Sequence, residues 1–195
     1  MTTSIRKIQI LMFCLTLVFV GGMSRPTQAS DTPEEQVGLL TVNGTVSVNG
    51  KPAATGDIVA AGSEVQTATG SSAVVSLGKL GRIEALPSTT MKLRYDIHTT
   101  SHASASIAIL LGDGSIKVSA AKEGMVNVET RDTATRASLG AEKVFTVDKT
   151  CGNTLVSVAE GKVELRFGHT VKQIAAGGQD TAGQAKPGCT LSRNR

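Results

Sequence analysis

The chain of 195 residues contains no tryptophan, one tyrosine and four phenylalanines. Past residue 29 the aromatic inventory falls to Tyr95, Phe145 and Phe167. Proteins that hold single-stranded nucleic acid stack bases on exposed aromatic faces, and protein-binding hot spots lean on Trp and Tyr. The scarcity argues against platforms of either kind. Phe145 and Phe167 each sit in an alternating pattern with an apolar partner two residues away, which reads as core packing.

An excess of positive charge is missing as well. Residues 1–29 hold Arg6, Lys7 and Arg25 and no acid, so the rest carries 17 bases against 16 acids, a formal balance of +1. That leaves no basic footprint for phosphates, and nucleic acid is not an expected partner. Gly-x-Ser-x-Gly, a phosphate-cradling glycine loop and a local serine, histidine and acid cluster are all absent. No catalytic residue, cofactor or metal site is therefore expected, and the chain is read as a non-enzyme. With 40% apolar residues it still has enough material for one real core.

Long apolar runs are confined to the N-terminus. Arg6 and Lys7 precede the run of residues 10–20, and Thr27-Gln28-Ala29 supplies small residues at a cleavage site. Residues 1–29 are thus a secretory signal, too short in its apolar part for the ~20 residues of a spanning helix. The alternative is an uncleaved anchor lengthened by Gly21, Gly22 and Met23. Cys14 stands inside the run behind Phe13, which does not suit lipid attachment. The polar residues 30–36 form a linker, and the Gly- and Ser-containing residues 180–195 a C-terminal tail.

Between linker and tail the apolar residues alternate with small polar ones, and Gly, Asn and Pro interrupt the alternation at short intervals. This is strand spacing, and the fold class expected is all-β, a single domain of ten to fourteen short antiparallel strands in a β-sandwich or irregular β-roll. Leu40, Val42, Val46 and Val48 share one face only if residues 40–48 run as one long strand bulged at Gly44, so Asn43-Gly44 is not read as a hairpin. The glycosylation-like triplet Asn43-Gly44-Thr45 is read as that bend. Asn49-Gly50 is a turn. A hairpin at Asp113-Gly114 would set Leu111 opposite Ile116 and Ile109 opposite Val118, and one at Glu160-Gly161 would set Val158 opposite Val163. No repeat of fixed period emerges.

The order of Gly44-Thr45-Val46, Gly56-Asp57-Ile58-Val59, Gly62-Ser63-Glu64-Val65, Ser72-Ala73-Val74-Val75 and Gly81-Arg82-Ile83 resembles the FecR-like domain family of bacterial envelope proteins. Val126-Asn127-Val128-Glu129-Thr130, Phe145-Thr146-Val147 and the run through Val156, Val158, Gly161 and Val163 continue the resemblance across residues 37–179. It implies an all-β domain outside the cytoplasm, which in the signal-transducing members relays receptor occupancy to a regulator of a sigma factor. Where many relatives carry Gly-Thr before the Phe-containing strand, this chain has Leu139-Gly140. Only the short stretch ending in Arg6 and Lys7 stands ahead of the apolar segment. On that length the expectation is a stand-alone exported member and not a sigma-factor regulator.

The residues 96–105 are the least apolar stretch of the middle and read as an exposed loop. Asp96, His98 and His102 make it the candidate interaction loop. His98 and His102 have a spacing compatible with a metal, but a solvated loop is the preferred reading because a third ligand is not at hand. Asp57, Asp113 and Glu160 stand beside glycines, where acids bond local backbone. Cys151 and Cys189 are the cysteines left after signal removal and are expected to form a disulfide in an oxidising compartment. The function expected is a non-catalytic interaction module, periplasmic or secreted, whose partner is an envelope protein or cell-wall polymer, with no stable membrane span after cleavage. The alternatives are an exported hydrolase with a loop-built site and a structural assembly component.

Overall fold

The computed structural model describes residues 36–98 and 104–183. Among them are seventeen strands and one 3-10 turn at Gly78–Leu80, with no α-helix. The first group is β1 (Gln36–Asn43), β2 (Val46–Val48), β3 (Lys51–Pro52), β4 (Ile58–Ala60), β5 (Glu64–Thr67), β6 (Ser72–Ser76) and β7 (Gly81–Ala85). The middle holds β8 (Thr90–His98), β9 (Ser104–Leu111), β10 (Gly114–Ala120), β11 (Met125–Glu129) and β12 (Thr133–Ala137). The chain then continues through β13 (Lys143–Thr150), β14 (Asn153–Glu160), β15 (Lys162–Phe167), β16 (Thr170–Ala175) and β17 (Gln179–Gly183). The last of these falls largely within the segment read as a tail.

The strands form two sheets, ordered β17-β14-β13-β10-β7-β6-β1-β4 and β16-β15-β12-β11-β9-β8-β5-β2-β3. After the first five strands, both sheets grow in the same direction as the sequence. Every pairing is antiparallel except β9 with β11. The inner faces share one core containing Leu40, Val75, Ile83, Leu93, Ile109, Ile116, Val118, Phe145 and Val156. Alternation is what places them there, since in a strand every second side chain points the same way. Phe145 is buried as expected, whereas Phe167, at the end of β15, is 39% exposed. Phe167 has the parity of buried Val163 and Leu165, but lies at the turn into edge strand β16, at the margin of the core.

The strand count exceeds the expected ten to fourteen because stretches that read as one unit divide between the sheets. Residues 40–48 are β1 in one sheet and β2 in the other, with Gly44 at the crossing. Its φ of +86° disfavours L side chains, and a Cβ there would stand 2.5 Å from Ser71 Oγ. Leu40 and Val46 are nevertheless both buried, because the two sheets face each other across the core.

The expected hairpins at Asp113-Gly114 and Glu160-Gly161 are corrected in the same way. β9 and β10 lie in opposite sheets, as do β14 and β15. Apolar residues meet across the core in a crossing as they would side by side in a hairpin, so alternation alone does not choose. True two-residue hairpin turns occur at Asn49-Gly50, where both φ values are positive, and at Cys151-Gly152, again with both positive. That geometry suits the right-handed twist of paired strands.

At one end of the sandwich, neighbouring crossings are stitched together by main-chain bonds. Ala121 N donates to Leu80 O, Gly140 N to Lys122 O and Ala176 N to Gly161 O.

Candidate interaction surfaces

β8 and β9 continue past the strands that flank them. β5 pairs with β8 only as far as Glu64 opposite Lys92, with two further bonds between residues 62–63 and Leu93. β11 begins its pairing with β9 at Met125 opposite Ser106. Beyond these points Ile97 opposite Ala105 and His98 opposite Ser104 are still paired with each other. Among the described residues no third strand flanks them. The result is a two-stranded ribbon with both backbone edges open.

This corrects the expected loop at its two ends, residues 96–98 and 104–105, while residues 99–103 lie outside the described residues. Asp96 and His98 belong to β8, two residues apart, and Asp96 pairs with Ser106. His102 lies outside the described residues. Backbone pairing needs no apolar face, so the polar residues Asp96, His98 and Ser104 extend the hairpin as readily as apolar ones would. Among the described residues no group of three metal-ligating side chains converges.

The other open edges are β3, β4, β16 and β17. β16 and β17 are linked across the two sheets by Lys172 Nζ, 2.8 Å from Asp180 Oδ2. Asp180 Oδ1 also accepts from Thr181 N at 2.8 Å. The hydrogen bond from Lys172 in the first place, aided by the one from Thr181, holds the Asp180 carboxyl below its usual range against the opposing effect of burial. Charges on edge strands of this kind discourage pairing with other chains.

Cys151 is disulfide-bonded. Cys189 lies outside the described residues. Of the turn acids, Asp57 accepts from Ala54 N at 2.9 Å, a local backbone bond. Asp113 instead stands 3.9 Å from Lys149 Nζ, with its side chain 91% exposed.

A feature absent from the expectations is a recess of about 440 Å³ at the stitched end, lined by Arg136, Lys143, Lys162, Glu164 and the backbone around Gly140 and Gly161. Lys143 takes an inward position on β13, in step with Phe145 and Val147, and is only 4% exposed. Its ammonium turns out of the apolar core and donates to the carbonyls of Ser138 and Ala141, the latter at 2.7 Å. Burial lowers its pKa from the usual 10.5. A lysine in the parity of core residues was the one sequence signal that pointed here.

No family model matches the chain, and no curated protein does. Among solved structures it is similar to a candidate anti-sigma factor from Parabacteroides distasonis ATCC 8503, known from crystals at 1.65 and 2.50 Å resolution. Each comparison gives 19% identity and a TM-score of 0.48, covering 62% of this chain. The chain spans about half, 54%, of the length of that neighbour. The expectation that excluded sigma-factor regulation is corrected: it conflicts with this neighbour, and it rested on where the sequence begins, which is no ground for exclusion.

Proposed function

We propose that the protein is a non-catalytic, FecR-like relay domain outside the cytoplasm that docks a protein partner through the β8–β9 ribbon, with regulation of a sigma factor among the outcomes such docking would serve. The observation that carries this reading is the ribbon itself. Among the described residues, its last rungs leave N–H and C=O groups unpaired on both edges, and an extended partner segment can complete such an edge by strand addition. The ordered FecR-like motifs and the signal-like N-terminus support the compartment and the family.

The test places a photoreactive residue at Ile97 in the native host, with Lys117 on the opposite sheet as the control position. A defined protein captured from Ile97 and not from Lys117, which then binds the purified domain and is lost on Ile97→Pro, is the expected result. Equal capture from both positions would overturn the docking surface. Turnover of a peptide or cell-wall substrate by the purified protein would overturn the non-catalytic reading.

A further inference from the structure

The recess at the stitched end has an imbalance of charge that the fold does not require. Arg136 on β12 lies directly opposite Glu164 on β15, and a cross-strand ion pair is the expected arrangement. It does not form. Glu164 turns along its own strand to Arg166 Nε through Oε1, and accepts from Gln173 Nε2 through Oε2 at 3.2 Å. Both carboxylate oxygens are thus engaged away from Arg136. Among the described residues neither Arg136 nor Lys162 has an anionic partner.

The walls are set by backbone. Lys143 clamps the crossing between β12 and β13 by its bonds to Ser138 and Ala141, and Gly140 N ties the same crossing to Lys122. An ammonium has three donors, so Lys143 retains one beyond the two carbonyls. Gly161 closes the side, its Cα so near the neighbouring crossing that a Cβ would meet Glu142 O at 2.7 Å. A concavity with fixed walls, two unpaired cations and a third cation in its lining focuses positive potential where a ligand would sit. Its volume is within the range of small-molecule sites.

We propose that this recess is a binding site for a compact organic oxyanion, a carboxylate or phosphate on a ligand of about monosaccharide size, contacted by Arg136 and Lys162. The planar guanidinium of Arg136 can bind either group through two parallel N–H bonds, and Lys162 adds a point charge. Lys143 is a positioning residue that keeps the crossing in shape. The site is separate from the ribbon and does not depend on the relay reading.

The experiment is an NMR titration of the purified protein at low salt with glucuronate, glucose 6-phosphate and neutral glucose, following backbone amides. Movement of Gly140, Gly161 and Lys162 with one or both anions but not with glucose is expected, and which anion binds distinguishes the carboxylate from the phosphate source. Arg136→Gln and Lys162→Gln should each weaken binding about tenfold, as expected for loss of a charge-assisted bond. Lys117→Gln, on the other sheet, should leave it unchanged. Unaltered melting of the variants shows that the fold is intact. No movement at these amides up to millimolar anion, equal movement with glucose, or undiminished binding in the Arg136→Gln and Lys162→Gln double variant would overturn the site.

Discussion

Thr135 is fully buried on β12, and among the described residues its hydroxyl has no hydrogen-bond partner. Its neighbours Thr130, Thr133 and Thr154 bond one another, leaving Thr135 aside. An unpaired buried hydroxyl costs free energy, while valine has the same shape without it. Thr135→Val should therefore raise stability by about 1 kcal/mol, read from urea unfolding. Asp180 offers a pH test. A carboxyl with a lower pKa in the fold than in the unfolded chain binds fewer protons when folded, so it favours the fold above the ordinary carboxylate pKa. This contribution fades as pH falls through the depressed value. A carboxylate titrating below 3.8 should be seen by NMR in the wild type, and Lys172→Met should move it back toward that value.

At the scale of elements, the crossings between sheets are the demanding positions. Gly161 has a φ of +76° and no room for a Cβ against Glu142 O. Gly161→Ala combines backbone strain with a clash and should destabilise by about 2 kcal/mol or more, whereas an alanine at open Gly140, φ +115°, should meet strain alone. Paired urea curves give the comparison. The Cys151 turn is a second such element. β17 pairs with β14 so that Gly183 lies opposite Asn153, two residues beyond Cys151. A chain leaving Gly183 therefore starts beside Cys151, and a bond from Cys151 to Cys189 would fasten edge strand β17 to the sandwich. Cys189→Ser should cost about 3–4 kcal/mol in the chain-entropy picture and expose one free thiol in the denatured protein. Unchanged stability and no new thiol would mean a different pairing.

Across the whole molecule, strands are added to both sheets in nearly the order of synthesis, yet most contacts join residues at least twelve apart in the chain, because successive strands often alternate between the sheets. The compartment is a whole-molecule property too. Mass spectrometry of the native protein should find a mature N-terminus near Ser30, and recovery of intact residues 1–29 in the membrane fraction would favour an anchor. Much of the architecture was legible beforehand: the all-β class, the turn at Asn49-Gly50 and the inward faces containing Leu40, Ile109 and Phe145. The strand ends at residues 96–98 and 104–105 were not legible because their polarity resembles that of a loop, although main-chain pairing is indifferent to it.

What the sequence determined by itself was which side of each strand faces inward, because alternation has period two and is written in neighbouring residues. It did not determine which sheet a strand joins. At Asp113-Gly114 and Glu160-Gly161 a hairpin and a crossing satisfy the same apolar pattern, and only the backbone bonds of the assembled sheets separate them. The recess was likewise decided by tertiary structure alone. Arg136, Lys143 and Lys162 come from three strands in two sheets, and their shared cavity exists only once the crossings are stitched side by side.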